Sequence, residues 1–303
     1  MKKVFKKVLL PLRRLRHLHD AYLIRHNPEK MFSMWHKRST GVPLNIDNPR
    51  TLDDKVAFMA FRTDTSEWTR LADKVGVREE VEKYGYREYL PKLYGTWENA
   101  ADIDFSVLPD SFVIKTNNGS ATNILVRDKS KINEDEIRTQ LDKWMRIDYG
   151  YKTCQPHYSR IKPLILAEEF LVSDSNATEK SSSLNDYKFY CVNGQPLYCI
   201  VYTDRVANSH DMKRTIYDMD WQLHQELLGK KAVPGPEIKR PSSLEKMKEI
   251  AKALSLPHPF VRVDFYEING RPIVGEMTFT PGMQETSMEF SRQLGEIMEV
   301  DVE

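Results

Sequence analysis

VRVDFYEINGRPIVGEMTFTPG, residues 261–282, packs two acids and an arginine into what reads as one hairpin. Val261, Val263 and Phe265 alternate with Arg262, Asp264 and Tyr266, the period-two pattern of a half-buried strand, and Asn269-Gly270 is a strong turn signal before a second strand. Arg262 and Asp264 therefore share a face. Whether Glu276 joins them depends on the turn. A two-residue Asn-Gly loop pairs Asp264 with Gly275 and sends Glu276 to the opposite side. A three-residue loop, Ile268-Asn269-Gly270 with Gly270 in the left-handed position of a bulge, sets Arg262 opposite Glu276 and Asp264 diagonal to it. One face then carries a cation and two carboxylates. Such carboxylates raise each other's pKa unless a cation lies between them. A hard ion such as Mg²⁺, which takes one or two carboxylates together with phosphate oxygens, suits the gap. Spacing alone equally allows a surface hairpin whose acids pair with Arg262 and solvent.

Outward from this hairpin, 303 residues with 40% hydrophobic and 29% charged side chains describe a globular chain of one large or two moderate domains. The net charge of +1 is unevenly spread: residues 1–30 hold nine Lys/Arg against Asp20 and Glu29, so this arm is +7 and the remainder −6. Lys2, Lys3, Lys6, Lys7, Arg13, Arg14 and Arg16 interleave with an apolar stripe interrupted by Pro11. The arm suits an anionic membrane surface and suits equally a helix packed on the body with its basic side to water. Nucleic acid is not expected as a partner, because no further basic run follows. Cys154, Cys191 and Cys199 have no CxxC spacing, which fits a reducing cytoplasm. No apolar run approaches the roughly 18 residues of a membrane span.

From Phe32 to Gly95 the pattern reads helical, with a helix expected over Asp73–Tyr84 that Asp73-Lys74 opens. In SFVIKTNNGSATNILV, residues 111–126, Lys115 ends a strand, a polar loop runs from Thr116 to Asn123, and Ile124–Val126 resume the strand pattern. A strand-borne lysine entering a small, Gly-containing loop offers a cation and backbone N–H groups to phosphates; an ordinary hairpin tip has the same pattern. Glu134–Met145 reads as an amphipathic helix and Leu164–Leu171 as a buried strand carrying Glu168 and Glu169 near its end. A Ser-rich loop, residues 173–185, returns into Tyr187–Val192, from which Lys188 points opposite Tyr187. Asp218-Met219-Asp220 matches a DxD motif. Ser242 with Glu245 reads as a capping box for a helix to about Leu254, directly before the hairpin. His157 follows Cys154 by three residues, without an orienting partner in sequence.

Taken in order, these pieces resemble the ATP-grasp family, and within it the group associated with teichuronopeptide and other bacterial surface-polysaccharide biosynthesis. The resemblance runs from about Leu71 to Met283, and its most specific part is R-V-D-F, a turn, then G-E-M-T-F-T-P-G-M, which mirrors the family's R-x-D and E-x-N-x-x-P-G ending. It implies an α+β ATP-grasp fold, two subdomains gripping a nucleotide. The expected division is a basic arm (1–30), a mainly helical region (31–100), a nucleotide-binding and catalytic domain (101–290) and a tail (291–303).

The resemblance also implies roles. Asp264 and Glu276 would hold Mg²⁺, with Thr278 where many members place an Asn ligand. Arg262 and Lys115 would act on the transferring phosphoryl group. Lys74 and Lys115 would hold ATP phosphates under a loop containing Asn118, Gly119, Ser120 and Thr122. Glu168, Glu169, Phe170 and Leu171 would receive adenine, Asp186 the ribose, and Lys188 a phosphate. The implied reaction is carboxylate activation by ATP as an acylphosphate and amide formation with an amine or glycan-precursor substrate, in capsule or cell-wall synthesis. Two other readings stay open: a glycosyltransferase using Asp218 and Asp220, and a non-catalytic ATP-binding module, which the Thr278 and Ala121 departures permit. The metal assignment requires Asp264 and Glu276 on one face, and so predicts the three-residue loop.

Overall fold

The computed structural model describes residues 16, 18–172, 184–203, 212–282 and 284–301. Most of the basic arm, most of the Ser-rich loop and residues 204–211 lie outside them. The chain opens with helices α1 (residues 18–26), α2 (Pro28–Thr40), α3 (Leu52–Arg62), α4 (Ser66–Ala72) and α5 (Gly76–Lys83). Helix α2 starts on Pro28 behind an Asn27 cap and stops at Gly41, whose φ of +88° ends the helical run. Helix α3 carries a capping box between Thr51 and Asp54. The helix expected over Asp73–Tyr84 is α5, which starts only at Gly76, so Asp73-Lys74 does not open it but lies with Val75 in the break after α4. Asp73 Oδ1 accepts the Val75 N–H there (2.8 Å), a local turn that competes with helix.

Two antiparallel sheets follow. Sheet A has the order β1 (Leu93–Trp97), β4 (Ile165–Glu169), β2 (Phe112–Thr116), β3 (Asn123–Val126), and α6 (Glu134–Met145), α7 (Tyr149–Thr153) and α8 (Pro156–Ser159) lie between β3 and β4 in the chain. One face of β2, with Phe112 and Ile114, packs on Ile137 and Leu141 of α6, so Val113 and Lys115 face the other way. Sheet B has the order β10 (Arg271–Thr278), β9 (Phe260–Ile268), β5 (Asp186–Val192), β6 (Gln195–Thr203), β7 (Lys213–Asp218), β8 (Val233–Pro234), parallel only between the last two. Its apolar face is covered by α9 (Leu244–Ser255), which buries Leu244, Met247, Ile250, Ala251 and Leu254 at helical spacing. Each such large side chain contributes roughly 1.5–3 kcal/mol.

The Ser242–Glu245 capping box does not form. Helix α9 begins at Leu244, its N-cap is Ser243 with no side-chain cap, and the hydroxyls of Ser242 and Ser243 both donate to Glu267 Oε1 (2.9 Å each). The carboxylate at the end of β9 takes the donors and ties the helix start to the hairpin. Helix α10 (Met288–Ile297) packs on α3, and Lys55 Nζ closes its last turn by donating to Gly295 O (2.8 Å) and Met298 O (2.6 Å). A Cβ on Gly295 would lie 2.3 Å from Arg50 O, so only glycine permits this approach.

The two Asn-Gly hairpins of sheet B are built alike. Asn193-Gly194 and Asn269-Gly270 are two-residue turns with positive φ at both positions (48° and 74°, 52° and 79°), as the type I′ geometry requires. The three-residue loop predicted at 268–270 is therefore absent: Ile268 pairs with Arg271. The odd residue sits farther along. Val274 pairs with Phe265 and Glu276 with Asp264, leaving Gly275 as a bulge. Asp264 and Glu276 do share a face, as direct partners, and Thr278 rather than Glu276 lies opposite Arg262.

Candidate functional site

The polar face of sheet B presents its side chains in rows across the strands. Glu276, Asp264 and Lys188 are consecutive partners on β10, β9 and β5; the next row runs Thr278, Arg262, Tyr190, and the row on the other side runs Tyr266, Asp186, Tyr202, Arg214. A central strand flanked on both sides buries even its charged residues, and Arg262 and Asp264 are 7% and 3% exposed. They hold each other. Arg262 donates from Nε to Asp264 Oδ1 and from Nη2 to Oδ2 (2.7 Å each), and also reaches Thr278 Oγ1 (3.1 Å). Lys188 Nζ bridges Asp264 (2.5 Å) and Asp186 (2.8 Å). Glu276 stands at the rim, its side chain 40% exposed, with Oε1 3.5 Å from Arg262 Nη2 and 3.4 Å from the Thr278 hydroxyl.

Charge sets the protonation of this group. Burial pushes the Asp264 carboxyl up to about 6, against the pull of Arg262 and Lys188. Burial also works against ionised Glu276, but Lys74, Lys188, Arg262 and Lys115 outweigh it and hold the carboxyl down to about 2. Two of those four cations come from outside sheet B, so the two halves of the molecule face each other across Glu276.

On the opposing half, Lys115 at the end of β2 donates to Glu168 on β4, and Arg78 of α5 approaches the same carboxylate (3.7 Å) while donating to Pro91 O (2.6 Å). Lys74, in the break between α4 and α5, donates to Gly119 O; burial lowers its pKa, as does Lys115, while Glu276 raises it. The loop after Lys115 is closed by Thr116 N–H to Thr122 O (3.1 Å) and by their two hydroxyls (2.9 Å). Gly119 lies against Tyr149 of α7, whose ring a Cβ would meet at 3.2 Å, and Asn118 Nδ2 reaches Ile147 O (3.4 Å). Ala121 has φ of +59°, the left-handed region that glycine occupies without penalty. Ser120 is exposed at the loop tip.

Beyond Glu168 the strand turns Glu169 to the other side, where its carboxylate accepts the Lys92 N–H (3.2 Å). Phe170 carries the Arg127 guanidinium over its ring (4.9 Å), and Leu171 follows just past the strand end.

Thus Arg262, Asp264, Glu276, Thr278, Lys188 and Asp186 form one cluster, and Lys74, Lys115, Gly119 and Glu168 a second, coupled through Glu276. Three participants escape the sequence reading. Buried Asn117 accepts the Leu164 N–H (2.7 Å) and donates to Asp73 Oδ1 (2.8 Å) and Lys162 O (3.1 Å), fixing the residue before Lys74 to the loop after Lys115. Arg78 and Tyr149 are the others. The Asn-Asn pair at 117–118 was the available signal for the first; nothing local marks the other two.

Other candidates resolve differently. Asp218 Oδ1 accepts the N–H groups of Asp220 (3.0 Å) and Gln222 (2.8 Å), and Oδ2 lies 3.2 Å from His224 Nε2, so this carboxylate builds a turn, while Asp220 is exposed. Cys154, Cys191 and Cys199 are free and buried. Burial pushes the Cys154 thiol up to about 12 and His157 down to about 3, a poor nucleophile and base. Among the described residues no cluster of three or more His, Cys, Asp or Glu side chains could hold a metal, and no helix is long and apolar enough to cross a membrane.

Among solved structures, similar chains include D-alanine–D-alanine ligase from Bacillus anthracis complexed with ATP (14% identity, TM-score 0.44, 80% of this chain and 65% of that one). D-alanine–D-alanine ligase from Helicobacter pylori (15%, 0.44, 86% and 73%) and L-amino acid ligase from Bacillus licheniformis (15%, 0.47, 75% and 47%) are others. The chain thus spans between about half and three quarters of the length of these structures. No curated protein matches its sequence significantly. The profile of the TupA-like ATPgrasp family matches residues 54–299, which take in both sheets and both charged clusters, and the chain belongs to that family, with an α+β ATP-grasp fold.

Proposed function

We propose that this protein is an ATP- and Mg²⁺-dependent ligase that activates a carboxylate as an acylphosphate and passes the acyl group to an amine, in the synthesis of a bacterial cell-surface polysaccharide or teichuronopeptide. The observation that carries the reading is the register that sets Glu276 directly opposite Asp264, with Arg262 and Lys188 bonded to that aspartate; the charges of Lys74 and Lys115 from the other half, which help lower the Glu276 pKa, support it.

The donor set suits Mg²⁺. Asp264 and Glu276 offer two paired carboxylates, Thr278 a neutral hydroxyl, and so small a set leaves positions for phosphate oxygens. When bound, the ion supplies charge neutralisation of those oxygens. Lys74, Lys115 and the backbone of Asn118–Thr122 bind the phosphates, with Ser120 and Thr122 adding hydroxyls. Glu168 through Leu171 receive adenine, with Glu169 and Phe170 at the outer side, and Asp186 the ribose. Lys188 holds Asp264 and Asp186 in place and faces a phosphate. Arg262, fixed by Asp264 and Thr278, stabilises negative charge on the transferring phosphoryl group. Positioning and neutralisation suffice, without a protein nucleophile. A cytoplasmic site of action at the inner membrane face accords with α1, which exposes Leu18 and Tyr22 one turn apart beside Arg16.

The test supplies ATP and Mg²⁺ with varied carboxylates and amines, and separately nucleotide sugars. Acceptor-dependent ADP release that disappears in Asp264→Asn is expected; nucleotide-sugar cleavage without ATP use would overturn the ligase.

A further inference from the structure

One buried carboxylate in sheet A is shared by two cations. Glu168 lies on β4 between β1 and β2, diagonal to Lys115 on the same face of the sheet. Its two oxygens have different partners. Oε1 accepts from Lys115 Nζ, whereas Oε2 faces Arg78 Nη1 at 3.7 Å, within ion-pair range and beyond a hydrogen bond. The Arg78 and Glu168 side chains are each 11% exposed. The other arm of Arg78 is committed, with Nη2 donating to Pro91 O (2.6 Å). Burial works against the guanidinium charge and Glu168 supports it. The break that carries Lys74 also places this arginine, since Arg78, in the first turn of α5, donates its N–H to Val75 O (3.1 Å).

Lys115 is therefore bound before any phosphate arrives. A lysine bonded to a buried carboxylate offers a phosphate little net charge, and drawing it away leaves that carboxylate uncompensated, which is costly in a buried pair. A second cation already beside the other oxygen lowers that cost. Arginine suits the place: it is always charged, and its planar fork can keep Pro91 on one arm while the other closes on Oε2. Lysine, a single point charge on a flexible stem, cannot hold both in this way.

We propose that Arg78 is a positioning residue that takes over Glu168 when the phosphates of a nucleotide draw Lys115 away, so that Lys115 meets them as a full positive charge. One ion pair is exchanged for another, and no proton moves. This rests on the ligase reading, which puts phosphates at Lys115, and adds a residue outside the phosphate contacts that sets how tightly they are held.

The experiment is calorimetric titration of the full chain with Mg²⁺ and ATP, with tripolyphosphate and with adenosine, in a double-mutant cycle of Arg78→Met and Glu168→Gln. Arg78→Met should weaken ATP and tripolyphosphate about 10- to 100-fold, the effect of one charge-assisted interaction. Adenosine, which has no phosphate to draw on Lys115, should weaken by less than about 3-fold. In the Glu168→Gln background Lys115 leaves behind only a neutral amide, so the same arginine substitution should change phosphate binding by less than about 3-fold. Loss of the Pro91 tie alone would instead weaken adenosine too and persist in both backgrounds. Arg78→Lys should give an intermediate loss, and carries the same comparison if the methionine variant does not fold. Phosphate affinities equal to wild type in both arginine variants, or losses of the same size in both backgrounds, overturn the exchange. A wild type that binds tripolyphosphate but not ATP overturns the ligase reading and leaves the cycle to decide the exchange; a wild type that binds neither overturns both.

Discussion

The two charged faces are assembled in opposite ways. In sheet B the charges come from adjacent strands in register, so Glu276, Asp264 and Lys188 meet because the ladder places them side by side. In the opposing half only Lys115 and Glu168 come from strands; Lys74, Arg78 and the loop carbonyl of Gly119 are brought in by helix breaks and turns. A ladder-built site is rigid and deeply buried. A loop-built one can adjust around a guest, and its positions depend on a few polar ties.

Asp264→Asn should expose that contrast most strongly. It removes the charge that holds both Arg262 and Lys188, and breaking one partner of a buried ion pair costs ~3–5 kcal/mol, whereas Glu168→Gln, where Lys115 retains a neutral acceptor, should cost ~1–2 kcal/mol. Denaturant titration of both variants checks this, and equal losses would remove the distinction. Next in size is Asn117→Ala, which leaves Asp73 and the Leu164 N–H without their tie. A loss of ~1–3 kcal/mol is expected, with a raised KM for ATP and a smaller change in kcat; an unchanged KM would show that the loop does not depend on this knot.

The pH response also divides by group. Mg²⁺ affinity, measured with a non-hydrolysable ATP analogue, should fall about tenfold between pH 7 and pH 5 as Asp264 takes up a proton around pH 6, while Glu276 stays ionised down to about 2. A flat profile over that range would contradict the assignment. For folding, the signs differ. Asp264, raised above its ordinary 3.8, favours the folded state more as pH drops through 6 toward that value; Glu276, depressed below 4.5, contributes stability above 4.5 that is lost as pH falls toward 2. The smallest effect belongs to Ala121→Gly. Relief of a left-handed alanine should stabilise by ~0.5–1 kcal/mol, visible as a small rise in melting temperature; destabilisation would show that the loop is held by chain stiffness rather than strained by it.

Strand alternation made most of sheet B legible, because period two survives any tertiary context that buries one face. Helix α6 falls over Glu134–Met145, as its periodicity predicts. The hairpin shows the limit. A three-residue turn and a two-residue turn with one bulge have the same parity, so the demand that Asp264 and Glu276 share a face does not locate the extra residue. Gly275, a glycine inside a strand and next to a charged residue, was the local sign of a bulge. Arg78, Tyr149 and Asn117 act through partners far off in sequence, and such contacts leave no periodic trace. The Ser242 cap failed for a similar reason, since Glu267 lies 25 residues away.

The bulge at Gly275 has one more consequence. Counted from the Asn269-Gly270 turn, deletion of Gly275 would bring Glu276 opposite Asp264 by ordinary pairing, so the extra residue is not needed to choose which acids meet. What it adds is bend and twist, and so the direction in which the Glu276 carboxylate leans out from the hairpin. The length of this strand works as an aiming adjustment: a shortened hairpin would keep the same partners and point them elsewhere.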